Sequence, residues 1–185
     1  MKKLLSWMFG CCLLFSCTNS TKEPSAKDTT AMGPSASTNP PPQMEFADAR
    51  YMEMGKKALQ QFESGDITAW MEGYADDAVY IWSAGDSLAG KAAIANYWKE
   101  RRGKVIDSLQ FANDIWLPVK VNRPQKGPDM PGNWLLSWYE VHVKYKNGSR
   151  LVFWVHSDIH YNSADKIDRV IQYIDRAPIN KALGH

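Results

Sequence analysis

The sequence predicts an α+β fold in which helices come first and an antiparallel sheet follows, with the helices covering one sheet face. Three observations predict it. Apolar residues recur at spacings of three and four between positions 47 and 62, the period of an amphipathic helix. From position 105 onward the chain turns to β-branched and aromatic runs that alternate imperfectly. Within those runs Asn147-Gly148 separates two strand-length segments, the strongest short hairpin signal a sequence offers.

Each element has its own local cause. Ala47, Tyr51, Met54, Ala58 and Phe62 form the apolar face of a first helix. Ser64-Gly65-Asp66 predicts a stop and a restart, with Gly65 suited to the left-handed position after a helix and Asp66 to an N-cap. A short second helix is expected to carry Ile67, Trp70, Met71 and Tyr74 inward, closed by Asp76 and Asp77. Residues 78–82 read as a strand, 85–90 as a loop, and 91–102 as a third helix burying Ile94, Tyr97 and Trp98. A strand over 105–121 leads to a long loop at 122–133, which holds three prolines and two glycines. Strands at 134–146 and 149–161 flank Asn147-Gly148, and a last strand at 166–176 follows a turn at 162–165.

The hairpin sets a register, and the register sorts side chains. With Asn147-Gly148 as a two-residue turn, His142 faces Phe153, Glu140 faces Val155 and Trp138 faces Ser157. A two-residue turn at Ser163-Ala164 sets Asp158 opposite Arg169. One face then carries Leu136, Trp138, Glu140, His142, Phe153, Val155, Ser157, Ile159, Val170, Gln172 and Ile174. The other carries Tyr139, Val141, Val143, Trp154, His156, Asp158, His160, Arg169, Ile171 and Tyr173. Both are too apolar for open solvent, so one must meet the helices and the other a partner or a curled part of the sheet.

All three cysteines lie within the first 17 of 185 residues, which excludes a disulfide framework or a cysteine zinc site in the folded part. Lys2 and Lys3 precede an apolar run from Leu4 to Phe15, too short to span a bilayer. It ends Leu14-Phe15-Ser16-Cys17, which resembles a bacterial lipobox: residues 1–16 would be removed and Cys17 lipidated. Met8-Phe9-Gly10-Cys11 is a rival that leaves an h-region of only about six residues. An ordinary secretory signal or a membrane anchor is the other alternative. The expected location is the bacterial cell envelope, as a membrane-anchored lipoprotein of the outer membrane. Cys17 to Met44 reads as a disordered tether rich in Ser, Thr, Pro and Ala, reaching on the order of 30 Å. The folded domain is expected over 45–185. Of 22 basic residues, Lys2 and Lys3 leave with the signal, so 20 face 20 acidic ones. With neither sign clustered, no nucleic-acid partner is expected.

The order helix, helix, strand, helix, then a long sheet resembles the SnoaL-like, or nuclear transport factor 2-like, superfamily, which includes ketosteroid isomerase. The resemblance covers residues 45–176 and rests on Gly65-Asp66, on Tyr74-Ala75-Asp76-Asp77-Ala78 and on Gly90-Lys91-Ala92-Ala93-Ile94. It implies a cone-shaped, curved antiparallel sheet covered by three N-terminal helices around an apolar pocket. Ketosteroid isomerase works with an Asp base and an oxyanion hole of Tyr and protonated Asp. Its functional positions fall here on Trp82, Ala58 and Ser157, so that chemistry is not carried over. The resemblance also implies that the face with Trp82, His142 and Ser157 looks into the pocket.

On that face the candidate ligand pocket is Tyr80, Trp82, Trp138, Phe153, Ser157 and Gln172. Glu140 and His142 are the candidate catalytic pair, about 6.6 Å apart between Cα atoms, where a carboxylate can orient a histidine as general base. His156, Asp158 and His160 offer metal-ligand types, but His156 and His160 lie about 13 Å apart along a strand, too far to share an ion. No metal or cofactor is expected. Nor does the sequence hold a Ser-His-Asp order, a P-loop or a dinucleotide fingerprint. Three functions follow as expectations: binding of a small, partly apolar ligand, proton-transfer catalysis by His142 with Glu140, and a homodimer or protein-interaction module built on the outward sheet face.

Overall fold

In the computed structural model, which describes residues 40–127 and 129–184, the first element is a short strand, β1 (Met44–Phe46). Helix α1 (Arg50–Ser64) follows and buries Tyr51, Gly55 and Phe62 along one face. A side chain at Gly55 would meet Leu135 Cδ2 and Trp116 Cζ3 at 2.6 Å, so the helix backbone lies directly on the sheet there. Gly65 caps α1 in the left-handed conformation, and the Asp66 carboxylate accepts from the Ala69 N–H at 2.9 Å to start α2 (Ile67–Met71). Helix α2 is shorter than expected. Its closing turn is at Glu72-Gly73, so Tyr74, Asp76 and Asp77 belong to strand β2 (Tyr74–Trp82) rather than to the helix. Strand β3 (Ser87–Ala89) and helix α3 (Lys91–Glu100) come next, and one wider π-type turn over Arg101–Val105 feeds β4 (Ile106–Val121).

The sheet is completed by β5 (Gly132–Tyr145), β6 (Arg150–Tyr161) and β7 (Ile167–Tyr173). Its strand order is β1-β4-β5-β6-β7-β2-β3. The strands of the second half pair antiparallel as expected, and the early strand β2 joins them parallel to β7. No hairpin joins those two strands, so nothing local dictates their relative direction. A bulge in β4 between Ala112 and Ile115, with Asn113 at φ 54°, bends the long strand and curves the sheet around the helices. A fourth helix, α4 (Ala177–Leu183), was not foreseen. The signal, Cys17 and the tether through residue 39 lie outside the described residues. The tether's last residues do not: the Gln43 carbonyl accepts from Asn122 and Arg123 N–H groups, extending β1 along the β4 edge. Among the described residues no helix is long and apolar enough to cross a membrane.

The register of the central hairpin is one residue away from the expected one. Tyr145 and Ser149 close the turn, leaving three residues, Lys146 to Gly148, with Gly148 at φ 91°. This is the three-residue connection in which a type I turn is followed by a left-handed glycine. Trp138 therefore faces His156, Glu140 faces Trp154 and Tyr139 faces Val155. One extra residue turns the whole of β5 over relative to β6.

The turn makes a measurable demand on residue type. A side chain at Gly148 would meet no atom within 4 Å, so Gly148→Ala acts only through the unfavourable φ. The expected loss in urea denaturation is about 1 kcal/mol. Gly103→Ala, equally open but at negative φ, should lose nothing. Equal losses at both positions would remove the conformational account of the turn.

Candidate functional site

The inner side of the sheet and the helices enclose an aromatic cavity of about 270 Å³. Its construction starts from α1 and α2. Phe62 packs edge-on against Trp70 and Trp98 at 4.9 Å between ring centroids, Trp70 meets Tyr74 at 4.8 Å, and Tyr80 meets Trp82 at 4.9 Å. Pairs of this kind add about 0.5–1.5 kcal/mol each beyond the area they bury, and they hold ring orientations fixed. Helix α3 closes this wall with Tyr97 and Trp98. Across the cavity stand the odd-numbered residues of β5 and β6, Tyr139, Val141, Val143, Phe153 and Val155. Helix α4 lies at one end through Ile179 and Leu183, tied down where Asn147 and Ser149 side chains donate to the Ala182 carbonyl.

A chain of hydrogen bonds runs along the wall. Trp82 Nε1–H donates to Gln172 Oε1 at 3.1 Å, and the Gln172 amide donates to the Tyr139 hydroxyl at 3.4 Å. Tyr139 and Ser157 share a further bond at 3.1 Å between their hydroxyls. All four residues are buried. Burial pushes the phenols of Tyr80 and Tyr139 above their ordinary range; the Arg176 cation opposes the effect at Tyr80, and the bonds from Ser157 and Gln172 oppose it at Tyr139. Both hydroxyls therefore stay protonated at physiological pH.

Solved structures of the same architecture exist. A nuclear transport factor 2-like protein of unknown function from Burkholderia pseudomallei matches with a TM-score of 0.59 at 11% identity, over 75% of this chain and 100% of its own. A proposed SnoaL-like polyketide cyclase from Shewanella putrefaciens matches at 0.52 and 10% identity, over 75% of this chain and 98% of its own. The chain has the SnoaL-like, nuclear transport factor 2-like fold. An LEH-like epoxide hydrolase from M. tuberculosis shares it, with a TM-score of 0.51 at 18% identity, over 71% of this chain and 86% of its own. No protein-family model matches the chain, and no curated protein matches its sequence.

Within the SnoaL-like fold, the expected pocket residues divide. Tyr80, Trp82, Phe153 and Gln172 line the cavity, and Ser157 lies buried behind it, bonded to Tyr139. Trp138, Glu140 and His142 do not line it: the three-residue turn puts them on the opposite face of the sheet. There His142 Nε2 is 3.6 Å from Glu140 Oε2, and Asn113 donates to the same carboxylate oxygen at 2.6 Å. The pair exists as the spacing suggested, but outside the cavity.

On that outer face His156 stacks between Trp138, at 4.5 Å, and Tyr173, at 5.3 Å, with Nε2 2.9 Å from Asp158 Oδ1. The expected Asp158–Arg169 pair is replaced, since Arg169 stands opposite His160 and Asp158 opposite Ile171. His160 is buried, with Nδ1 2.5 Å from Asp168 and Nε2 3.1 Å from the Pro131 carbonyl. The cavity residues that sequence reasoning missed include Tyr139, Val141, Arg101, Arg176 and those of α4. Helix α4 did carry a signal: Pro178 in its first turn, Ile179 and Leu183 four apart, and Gly184 at the left-handed end.

Proposed function

We propose that this protein is a SnoaL-like domain, tethered to the cell envelope through Cys17, that binds a small, partly apolar molecule in the aromatic cavity. The observation that carries this reading is the cavity itself, a concave, largely apolar space with a few fixed polar groups, the usual form of a small-molecule site. Tyr80, Trp82 and Phe153 would contact the apolar body of the ligand and Gln172 would orient it. Among the described residues the lining contains no Asp, Glu or His, hence no side chain whose ordinary pKa suits a general base near neutrality. That favours retention of a ligand over proton-transfer turnover.

The neutral probe N-phenyl-1-naphthylamine tests the site. It should bind one to one with enhanced fluorescence, and Val141→Phe, which projects a larger side chain into the cavity, should weaken binding at least tenfold. Leu109→Trp serves as a second filling variant should the first fold poorly. His142→Ala and Glu140→Ala should leave binding unchanged. Binding that ignores both filling variants would move the site elsewhere.

The tether makes a separate demand. Expressed in a bacterial envelope, the wild-type chain should fractionate with membranes and incorporate labelled fatty acid. Cys17→Ser should abolish the label and release the domain, whereas Cys11→Ser should change neither. Labelling that survives Cys17→Ser would point to the rival site at Cys11.

A second reading, a homodimer through the outer sheet face, is favoured by one further observation. Ile115, Val152, Trp154 and Tyr173 are large, exposed apolar side chains, between 42% and 57% accessible, and all stand on the face that carries Trp138 and His156. Such a patch suits a second copy of itself about a two-fold axis. Sedimentation at micromolar concentration should give a dimer, and Trp154→Glu with Tyr173→Lys a monomer. A monomeric wild type at high concentration would end this reading.

A further inference from the structure

The polar side chains of the cavity are arranged asymmetrically, and the asymmetry specifies a ligand class. Its lining includes two guanidinium groups, Arg101 and Arg176, and no carboxylate among the described residues. Arg101 stands at the start of the π-type turn after α3, its guanidinium 5.7 Å from the centroid of the Tyr97 ring, and it has no ion-pair partner among the described residues. Its charge opposes the effect of burial on the Tyr145 phenol, another wall residue. Arg176, just before α4, lies over the Trp82 ring at 5.1 Å, and its charge acts in the same way on Tyr80. One of its nitrogens, Nη2, meets Asp86 at 2.9 Å, on the solvent side where that carboxylate is half exposed. A single-point contact of this kind leaves most of a five-donor fork unused.

Two acceptors of the wall are, by contrast, already engaged. Gln172 Oε1 receives the Trp82 N–H, and the Tyr139 hydroxyl receives the Gln172 amide. A molecule entering the cavity therefore meets rings along its length and spare cationic donors among the partly exposed polar residues of the lining, Arg101 and Arg176. With no carboxylate in the lining among the described residues, a ligand that brings negative charge is the complement of those two cations.

We infer that the ligand is an amphipathic organic anion, an aromatic or alicyclic body bearing a carboxylate or comparable oxyanion, held by Arg101 and Arg176 with its body among Tyr80, Trp82 and Phe153. Guanidinium groups suit this because they are always charged, match planar oxyanions with paired donors and lie flat on rings. The inference rests on the cavity being the binding site, and its experiment separates the two.

2-Naphthoate and its neutral isostere 2-naphthamide are the probes, titrated by isothermal calorimetry at low and at moderate salt. The naphthoate is expected to bind at least tenfold more tightly than the amide, with the advantage shrinking as salt rises. Arg101→Gln and Arg176→Gln should each remove fivefold or more of the naphthoate affinity and leave the amide within twofold. Arg101→Lys and Arg176→Lys should restore part of the preference, and the far-ultraviolet circular dichroism of every variant should match the wild type. Equal binding of the two probes, or a naphthoate preference that survives both Gln substitutions, would overturn the inference while leaving the cavity as the site. Failure of naphthoate, naphthamide and N-phenyl-1-naphthylamine alike would remove the cavity reading and this inference with it.

Discussion

The closure of the central hairpin by Tyr145 and Ser149 across three residues is the constraint on which the interior depends. Side chains alternate along a strand, so the parity of that turn decides which half of β5 meets the helices. With three residues the odd positions go in, and the cavity receives Tyr139, Val141, Val143 and Tyr145 beside Phe153 and Val155. With two, Trp138, Glu140 and His142 would have gone in. That alternative places a carboxylate and an imidazole against an apolar helix wall, where neither finds enough partners to offset its desolvation. The observed parity leaves them where Asn113 and solvent can satisfy them.

The second hairpin shows how the same displacement can cancel. Asn162 and Lys166 close a three-residue turn there too, with Asp165 left-handed at φ 55°. A bulge between Tyr161 and His160 then adds a second offset, so β7 keeps the parity it would have had with a two-residue turn. The bulged residue is Asp168, and its carboxylate reaches His160. His160 in turn holds the Pro131 carbonyl, and Trp134 donates to that of Met130, fixing the long loop over Ile171, Val119 and Leu136. The outer face is thereby divided. One part is covered by the chain's own loop, and the part around Trp138, Trp154 and Tyr173 is bare.

What the sequence revealed follows from the range of each signal. Helices α1 and α3, the Asp66 cap and the strands of the second half rest on local periodicity and local turn chemistry, and they stand within a few residues of their expected places. Tyr80, Trp82, Phe153 and Gln172 were legible because they lie on β2, β6 and β7, whose facing does not pass through the first hairpin. Trp138, Glu140 and His142 were misplaced because it does: Asn-Gly supports both a two-residue turn and the last two positions of a three-residue one, and propensity does not separate them. The parallel pairing of β2 with β7 and the seating of α4 are long-range facts. Helix α4 has only seven residues, too few for its period to stand out from the chain around it.

The size of the cavity carries a consequence for how it is occupied. In protein cores a dry void costs about 24 cal/mol per Å³, so 270 Å³ left empty would cost on the order of 6 kcal/mol. That is comparable with the whole stability of an ordinary domain, about 5–15 kcal/mol. The cavity therefore stands open to water, through partly exposed side chains such as those of Arg101 and Arg176. Water there is poorly matched to walls of tryptophan, tyrosine and phenylalanine, and its replacement by an apolar body returns dispersion contacts that the rigid ring network cannot make with itself. The same rigidity prevents collapse, since Phe62, Trp70, Trp98 and Tyr80 brace one another edge to face. An apolar body in the proposed site would recover those contacts, and the two guanidinium groups would favour one that carries an oxyanion.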